Sequence, residues 1–176
     1  TIDFRYGDGK DYNGPMVFDK PFFQNTGLNL VAILGSGTPY SASSIVINEA
    51  AGVGSHQLQG SVNGSRLPWL FTLDGQLDRN INLTFGKDKE GDKAKAANLN
   101  IYLLVTNILN TENVTGVWRA TGNPDDDGYL AAPQFQQNIV EQTDEQAYRD
   151  LYAQKVFRPT NFGRPRTIRL GVRLDF

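Results

Sequence analysis

The sequence predicts an all-β protein with five antiparallel strands, because apolar and polar residues alternate along five separate stretches. The clearest case is the stretch 71–85, in which apolar side chains occupy almost every second position. The connections between the stretches give a second observation, since they range from one short charged turn to two long loops rich in Gly, Ser, Asn and Asp.

The expected strands are Ile2–Tyr6, Thr26–Leu34, Phe71–Phe85, Asn98–Leu109 and Arg166–Phe176. The charged turn Gly86–Lys93 joins the third strand to the fourth, and the long loops are Ser36–Pro68 and Glu112–Pro165. One helix is predicted in the second long loop, where Thr143 as N-cap and Gln146 form a capping box. Its apolar stripe consists of Ala147, Tyr148, Leu151 and Tyr152 and is expected to pack onto its own loop.

Composition excludes several classes of protein and site. The chain has 176 residues, enough for one domain with a sizeable core. It contains no cysteine, so it has no disulfide, no thiolate metal site and no thiol nucleophile. A net charge of -2 argues against a nucleic-acid-binding surface. No apolar run approaches the roughly 18 residues of a membrane-spanning helix.

The stretch 166–176 has one apolar and one polar row, and this pattern fits two architectures. The apolar row is Ile168, Leu170, Val172, Leu174 and Phe176. In a secreted β-sandwich, for example a carbohydrate-binding module, this row would face the core, whereas in a membrane barrel it would face lipid. If successive strands alternate in direction, both long loops lie at one end and the charged turn at the other. This asymmetry is typical of outer-membrane barrels, in which the short turns are periplasmic, and it favours an antiparallel transmembrane β-barrel segment.

Several segments, taken in order, resemble one family of outer-membrane proteins. They are 63–69 (NGSRLPW), 73–79 (LDGQLDR), 99–103 (LNIYL) and 107–114 (NILNTENV), followed by 116–130 (GVWRATGNPDDDGYL) and 163–166 (GRPR). The first four resemble the late barrel of TonB-dependent outer-membrane receptors. The last two are similar to the Oar-like and SusC-like receptors of the Bacteroidota. The likeness covers nearly the whole chain.

The resemblance implies a barrel of 22 strands, an N-terminal plug domain inside it and a TonB box that couples uptake to the proton gradient of the inner membrane. This sequence lacks the plug, the TonB box and most of the strands, and five strands cannot close a barrel. We therefore expect residues 1–176 to be the C-terminal part of one barrel domain, as a fragment or as part of a longer protein.

The function implied by the resemblance is import of a bulky nutrient, with this segment forming barrel wall and extracellular substrate-facing loops. The implied partners are the remaining barrel and its plug, TonB through the missing N-terminal part, outer-membrane lipid and, as a further candidate, a surface lipoprotein lid. The implied location is the outer membrane of a Gram-negative cell, with a periplasmic C-terminus. A structural barrel component without transport is an alternative. No enzyme activity, cofactor or nucleic-acid partner is expected.

Strand parity predicts which side chains face the lumen and which face lipid. The expected lumen-facing residues are Asp74, Gln76, Asp78, Arg169 and Arg173. Arg79 is an exception on the apolar row, acceptable if the bilayer ends nearby and the side chain reaches the headgroups. Tyr40, Trp69 and Phe176 near strand ends suit an aromatic girdle. The resemblance further implies that Phe176 is the signal read by the barrel-assembly machinery.

The residues that could bind a metal or catalyse a reaction form no complete motif. Asn123, Asp125 and Asp127 match the first part of a calcium loop, but Gln134 stands where that loop needs a bidentate Glu. A solvated acidic turn is the preferred interpretation. His56 has no partner in a recognised catalytic motif, so no catalytic residue is assigned.

Overall fold

A computed structural model describes residues 1–52, 54–85 and 95–176. Its regular structure is mostly strands in antiparallel sheets, with few helices, which confirms the all-β prediction at this level. The strands are β1 Ile2–Arg5, β2 Thr26–Gly35, β3 Pro39–Tyr40, β4 Ser65–Arg66, β5 Leu70–Phe85, β6 Lys95–Thr106 and β7 Thr167–Asp175. The helices are α1 Gln136–Val140 and α2 Glu145–Val156, and 3-10 turns cover Gly9–Asp11, Pro133–Phe135 and Pro159–Asn161.

The chain divides into two compact units. The sheet unit comprises Thr1–Ile33, Thr72–Thr111 and Pro165–Phe176. The loop unit comprises Leu34–Phe71 and Glu112–Arg164. The two long connections predicted from the sequence therefore supply nearly all of the second unit.

A five-stranded sheet in the order β1-β2-β5-β6-β7 forms the sheet unit. β1 pairs with β2, β5 with β6 and β6 with β7, each in antiparallel register. In the part of the chain that the structure describes, β1 and β7 each have one partner strand, so the sheet does not close into a barrel.

The first, second, third and fifth predicted strands agree with the structure to within one residue at each end. The prediction for the fourth strand was displaced. β6 begins at Lys95 and ends at Thr106, whereas the sequence predicted Asn98–Leu109. Asn107 ends the strand because its φ of 53° is left-handed and its side chain closes a turn. The Asn107 Oδ1 accepts the Thr111 N–H at 2.9 Å and its Nδ2 donates to the Thr111 carbonyl at 3.0 Å. The charged turn Gly86–Lys93 lies outside the described residues.

An aromatic core and a two-stranded sheet organise the loop unit. β3 pairs with β4, Pro39 lying opposite Arg66. The buried core consists of Trp118, Tyr129, Ile139, Tyr152 and Val156. Tyr129 and Tyr152 are stacked with ring centroids 4.6 Å apart, and both pack within this core.

The structure corrects the helix prediction in three respects. The second long loop contains two α-helices instead of one. The N-cap of α2 is Asp144 and not Thr143, since Asp144 has extended backbone and its Oδ1 accepts the Ala147 N–H at 2.9 Å. Leu151 does not join the buried stripe, because the helix packs along the i, i+4 row of Tyr148, Tyr152 and Val156 and leaves Leu151 65% exposed.

Candidate functional site

One face of the five-stranded sheet is a continuous apolar surface. Leu77 of β5 lies opposite Leu103 of β6, which lies opposite Leu170 of β7, and the neighbouring rows repeat this arrangement. Leu170 is 74% exposed, and Ile168 and Val172 are exposed on the same row. The sheet thus presents a contiguous apolar surface along β7. Most soluble proteins avoid an exposed surface of this kind.

The opposite face carries all five residues that the sequence assigned to a lumen: Asp74, Gln76, Asp78, Arg169 and Arg173. Gln76 and Arg169 both lie opposite Leu104 in the strand between them. Asp74 accepts the Asn107 N–H at 2.8 Å, and Arg173 donates to Asp175 at 3.0 Å. Their position on one polar face follows from the register, while contact with a lumen stays a prediction.

Asp78 forms an ion pair with Arg5 across three strands of this polar face. The two guanidinium nitrogens Nη1 and Nη2 of Arg5 each lie 3.0 Å from a carboxylate oxygen of Asp78, a bidentate arrangement. Gly27 of β2 lies beneath the pair, and a Cβ there would come within 2.5 Å of the Arg5 Nη2. Glycine at this position therefore leaves the space that the ion pair occupies.

Tyr102 covers Gly171 on the same polar face. The two residues are directly opposite in β6 and β7, and a Cβ at Gly171 would lie 2.2 Å from the Tyr102 ring. Packing of an aromatic ring over a strand glycine restores contacts that glycine itself cannot make.

An aromatic cluster that the sequence reasoning missed lies in the sheet unit. Phe4 and Tyr6 are in edge contact at 4.7 Å between centroids, and Tyr6 also contacts Tyr12 and Phe23. Phe23 in turn packs edge-on against Phe22 at 5.4 Å. The signal available in the sequence was the concentration of aromatic residues in 4–23, a segment whose middle part has no alternation.

The three predicted girdle residues occupy different elements. Phe176 follows β7 and is 98% exposed, and Trp69 directly precedes β5 and is 67% exposed. Tyr40 belongs to β3 of the loop unit and is half-buried, and a Cβ at Gly122 would lie 2.8 Å from its hydroxyl. A membrane-interface role for these residues stays a prediction.

The loop unit buries a carboxylate between two tyrosines. Asp127 is 1% exposed; its Oδ1 accepts the Tyr129 N–H at 3.0 Å and its Oδ2 accepts the Tyr152 hydroxyl at 2.6 Å. Burial, followed by the hydrogen bond to Asp127 and its charge, raises the pKa of Tyr152. The hydrogen bond to Tyr129, with burial, raises the pKa of Tyr148 to about 12.

This geometry bears on the candidate calcium ligands. Both oxygens of Asp127 already accept hydrogen bonds from within the protein. Within residues 1–52, 54–85 and 95–176, no three or more His or acidic side chains are grouped to hold a metal ion. Asp127 departs from the solvated turn preferred for this segment because it is buried, and calcium binding by Asn123, Asp125 and Asp127 remains the less favoured alternative.

Two surface cavities flank Tyr152 in the loop unit. One has a volume of about 260 Å³ and is bordered by Asn48, Tyr148 and Lys155. The other has a volume of about 340 Å³ and is bordered by Asp125, Asp126 and Val156. Both polar and apolar side chains line each cavity.

The described part of the chain contains no helix that is both long and apolar enough to cross a membrane. Comparison of the chain with protein-family models, curated proteins and solved structures found no match in any of the three.

Proposed function

We propose that this chain is a wall segment of a TonB-dependent outer-membrane receptor that imports a bulky nutrient. The observation that carries the proposal is the sheet with one exposed apolar face and one polar face, aligned in register over β5, β6 and β7. A sheet of this kind is stable where its apolar face meets lipid and its polar face meets water, as in a transmembrane barrel.

The remaining strands would come from the same receptor. A barrel needs about eight strands to close, and the described sheet has five with an unpaired edge at β1 and another at β7. The rest of the barrel, its plug and its TonB-binding segment are the partners that this proposal requires. A surface lipoprotein lid is an additional partner suggested by the resemblance alone.

In this proposal the loop unit contributes the substrate-facing surface on the outside of the cell. Its support is that both long segments fold around an aromatic core and carry two cavities with polar and apolar walls. The wall segment itself needs no catalytic group, and we assign none.

Spin labels in β7 of the intact membrane-embedded protein test the orientation of the sheet. Residues 1–176 contain no cysteine, so each substitution adds the one thiol of this segment. Ile168→Cys and Leu170→Cys should be relaxed by oxygen, which partitions into lipid. Arg169→Cys and Arg173→Cys should be relaxed by a water-soluble nickel chelate. A soluble β-sandwich would instead protect the apolar pair from both reagents, and that result would end the barrel proposal.

Transport is tested separately from the wall. The full-length gene product should contain an upstream plug and TonB box, and nutrient uptake should stop when a protonophore collapses the inner-membrane gradient. A lipid-embedded protein without plug and TonB box would favour the structural barrel component.

A further inference from the structure

Arg79 is a cation on the apolar row of β5, between Leu77 and Ile81. Its guanidinium carbon lies 5.0 Å from the ring centroid of Phe22. Its Nε is buried and has no hydrogen-bond partner. No carboxylate in the described ranges lies within ion-pair distance of it. The described residues therefore supply an aromatic face for this charge but no anion.

A groove adjoins this charge on the sheet. It has a volume of about 280 Å³, and Phe22, Phe23, Leu77, Leu103 and Leu170 line it together with Arg79. Asp78 also borders it, but its carboxylate is paired with Arg5. That volume is close to the lower end of the roughly 300–1,000 Å³ typical of small-molecule sites. We call it the Arg79 groove. An elongated apolar chain fits such a surface better than a compact polar ligand does.

The segment that carries Phe22 also projects an apolar tip. Val17 and Lys20 exchange backbone hydrogen bonds of 3.0 and 3.1 Å, closing a tight turn. At its tip Phe18 is 94% exposed and has a left-handed φ of 51°, which is uncommon for a bulky residue. Exposed Asp19 and Lys20 follow Phe18, and an exposed aromatic residue near a lysine is typical of segments that lie in a membrane interface.

We propose that the Arg79 groove binds an acidic phospholipid, an inference that rests on the proposed function because it places this face in the bilayer. The phosphate contacts the guanidinium of Arg79, and one acyl chain lies along Leu77, Leu103 and Leu170. An unpaired cation beside lipid is unfavourable, and a phosphate neutralises it with a geometry that the guanidinium fork matches. The apolar wall explains why the anion is a lipid and not free phosphate.

Lipid retention by the intact protein in nanodiscs tests the proposal. The discs contain phosphatidylglycerol and phosphatidylcholine, and native mass spectrometry reports which lipid stays bound. The wild type should retain phosphatidylglycerol preferentially. Arg79→Gln should reduce that preference by at least about tenfold, the scale of a lost hydrogen bond to a charged group. Arg169→Gln is the matched control, since it removes one cation from the opposite face of the same sheet and should leave the preference unchanged.

Two further variants keep the result interpretable. Arg79→Lys keeps the charge without the fork and should retain part of the preference, which guards against a folding defect in Arg79→Gln. Phe22→Ala removes the aromatic wall and should also weaken retention. Equal losses in the Arg79→Gln and Arg169→Gln variants, or no preference in the wild type, would overturn the proposal. Displacement of the lipid by inorganic phosphate alone would overturn the lipid assignment.

The spin-label experiment on β7 separates the two levels of inference. If Leu170→Cys contacts lipid but the acidic lipid is not retained, the groove proposal fails and the proposed function stands. If Leu170→Cys does not contact lipid, both fail.

Discussion

An arginine placed on the apolar row of β7 should destabilise the membrane-embedded protein by an amount that depends on depth. Val172 lies opposite Ile101 of β6, and Ile101 lies opposite Arg79 of β5. An arginine is therefore already present at the same level of the sheet as Val172. Ile168 is four residues away on the same row, about 13 Å along the strand and about 10 Å along the membrane normal for a tilt of about 40°.

These positions give different expected costs. Ile168→Arg should cost about 2–4 kcal/mol, as for an arginine deep in the bilayer, whereas Val172→Arg should cost about 0–1 kcal/mol, as for one near the interface. The larger cost corresponds to a decrease of about 30- to 900-fold in the folding equilibrium constant. Gln76→Arg is the control on the polar face, where Gln76 is exposed, and it should be nearly neutral.

The measurement is denaturant unfolding of the intact protein in phospholipid bilayers, followed by tryptophan fluorescence. The order of costs, Ile168→Arg above Val172→Arg above Gln76→Arg, is the expected outcome. If Gln76→Arg costs as much as Ile168→Arg, the apolar face does not meet lipid and the orientation argued above is wrong.

Three further predictions concern local contacts. Tyr148 and Tyr152 have raised pKa values in the folded protein, so the stability they contribute is complete below pH about 10 and is lost as pH rises towards and beyond about 12. Absorbance at 295 nm should show these two tyrosines ionising above pH about 10, together with unfolding of the loop unit. An unchanged unfolding pH in the double variant Tyr148→Phe/Tyr152→Phe would contradict this. Asn113→Ala should lower the free energy of urea unfolding by about 1–3 kcal/mol, because the Asn113 amide accepts the Phe71 N–H and donates to the Phe71 carbonyl. A neutral result would show that water replaces the amide. Gly171→Val should cost about 1–3 kcal/mol by displacing the Tyr102 ring. In the background of Tyr102→Ala the same substitution should cost less, and additive costs would refute the contact.

Alternation predicted the strands well because the side-chain period of two is imposed by the backbone itself. It placed Leu77 and Leu170 on one face and Asp78 and Arg169 on the other, and the observed register agrees. It failed at the end of β6, where the turn depends on the local hydrogen bonds of the Asn107 side chain and not on hydropathy.

The loop unit was the least predictable part. Its core joins residues far apart in sequence, as the hydrogen bond between Tyr152 and Asn48 shows, and no periodic pattern marks such a contact. The N-cap was missed by one residue because Thr143 and Asp144 are both good caps, and the choice depended on which side chain reached the Ala147 N–H. The groove at Arg79 required the position of Phe22, which lies outside any strand.

Hydrogen bonds join the two segments of the loop unit, so that neither segment can be replaced without the other. Residues 34–71 supply Asn48 and the backbone of Phe71, and residues 112–164 supply the Tyr152 and Asn113 side chains that bond them. Replacing one segment alone would leave polar groups without partners on the other. Successful grafting onto another scaffold, or recombination between related genes, therefore has to transfer both segments together, although about forty residues of sequence separate them.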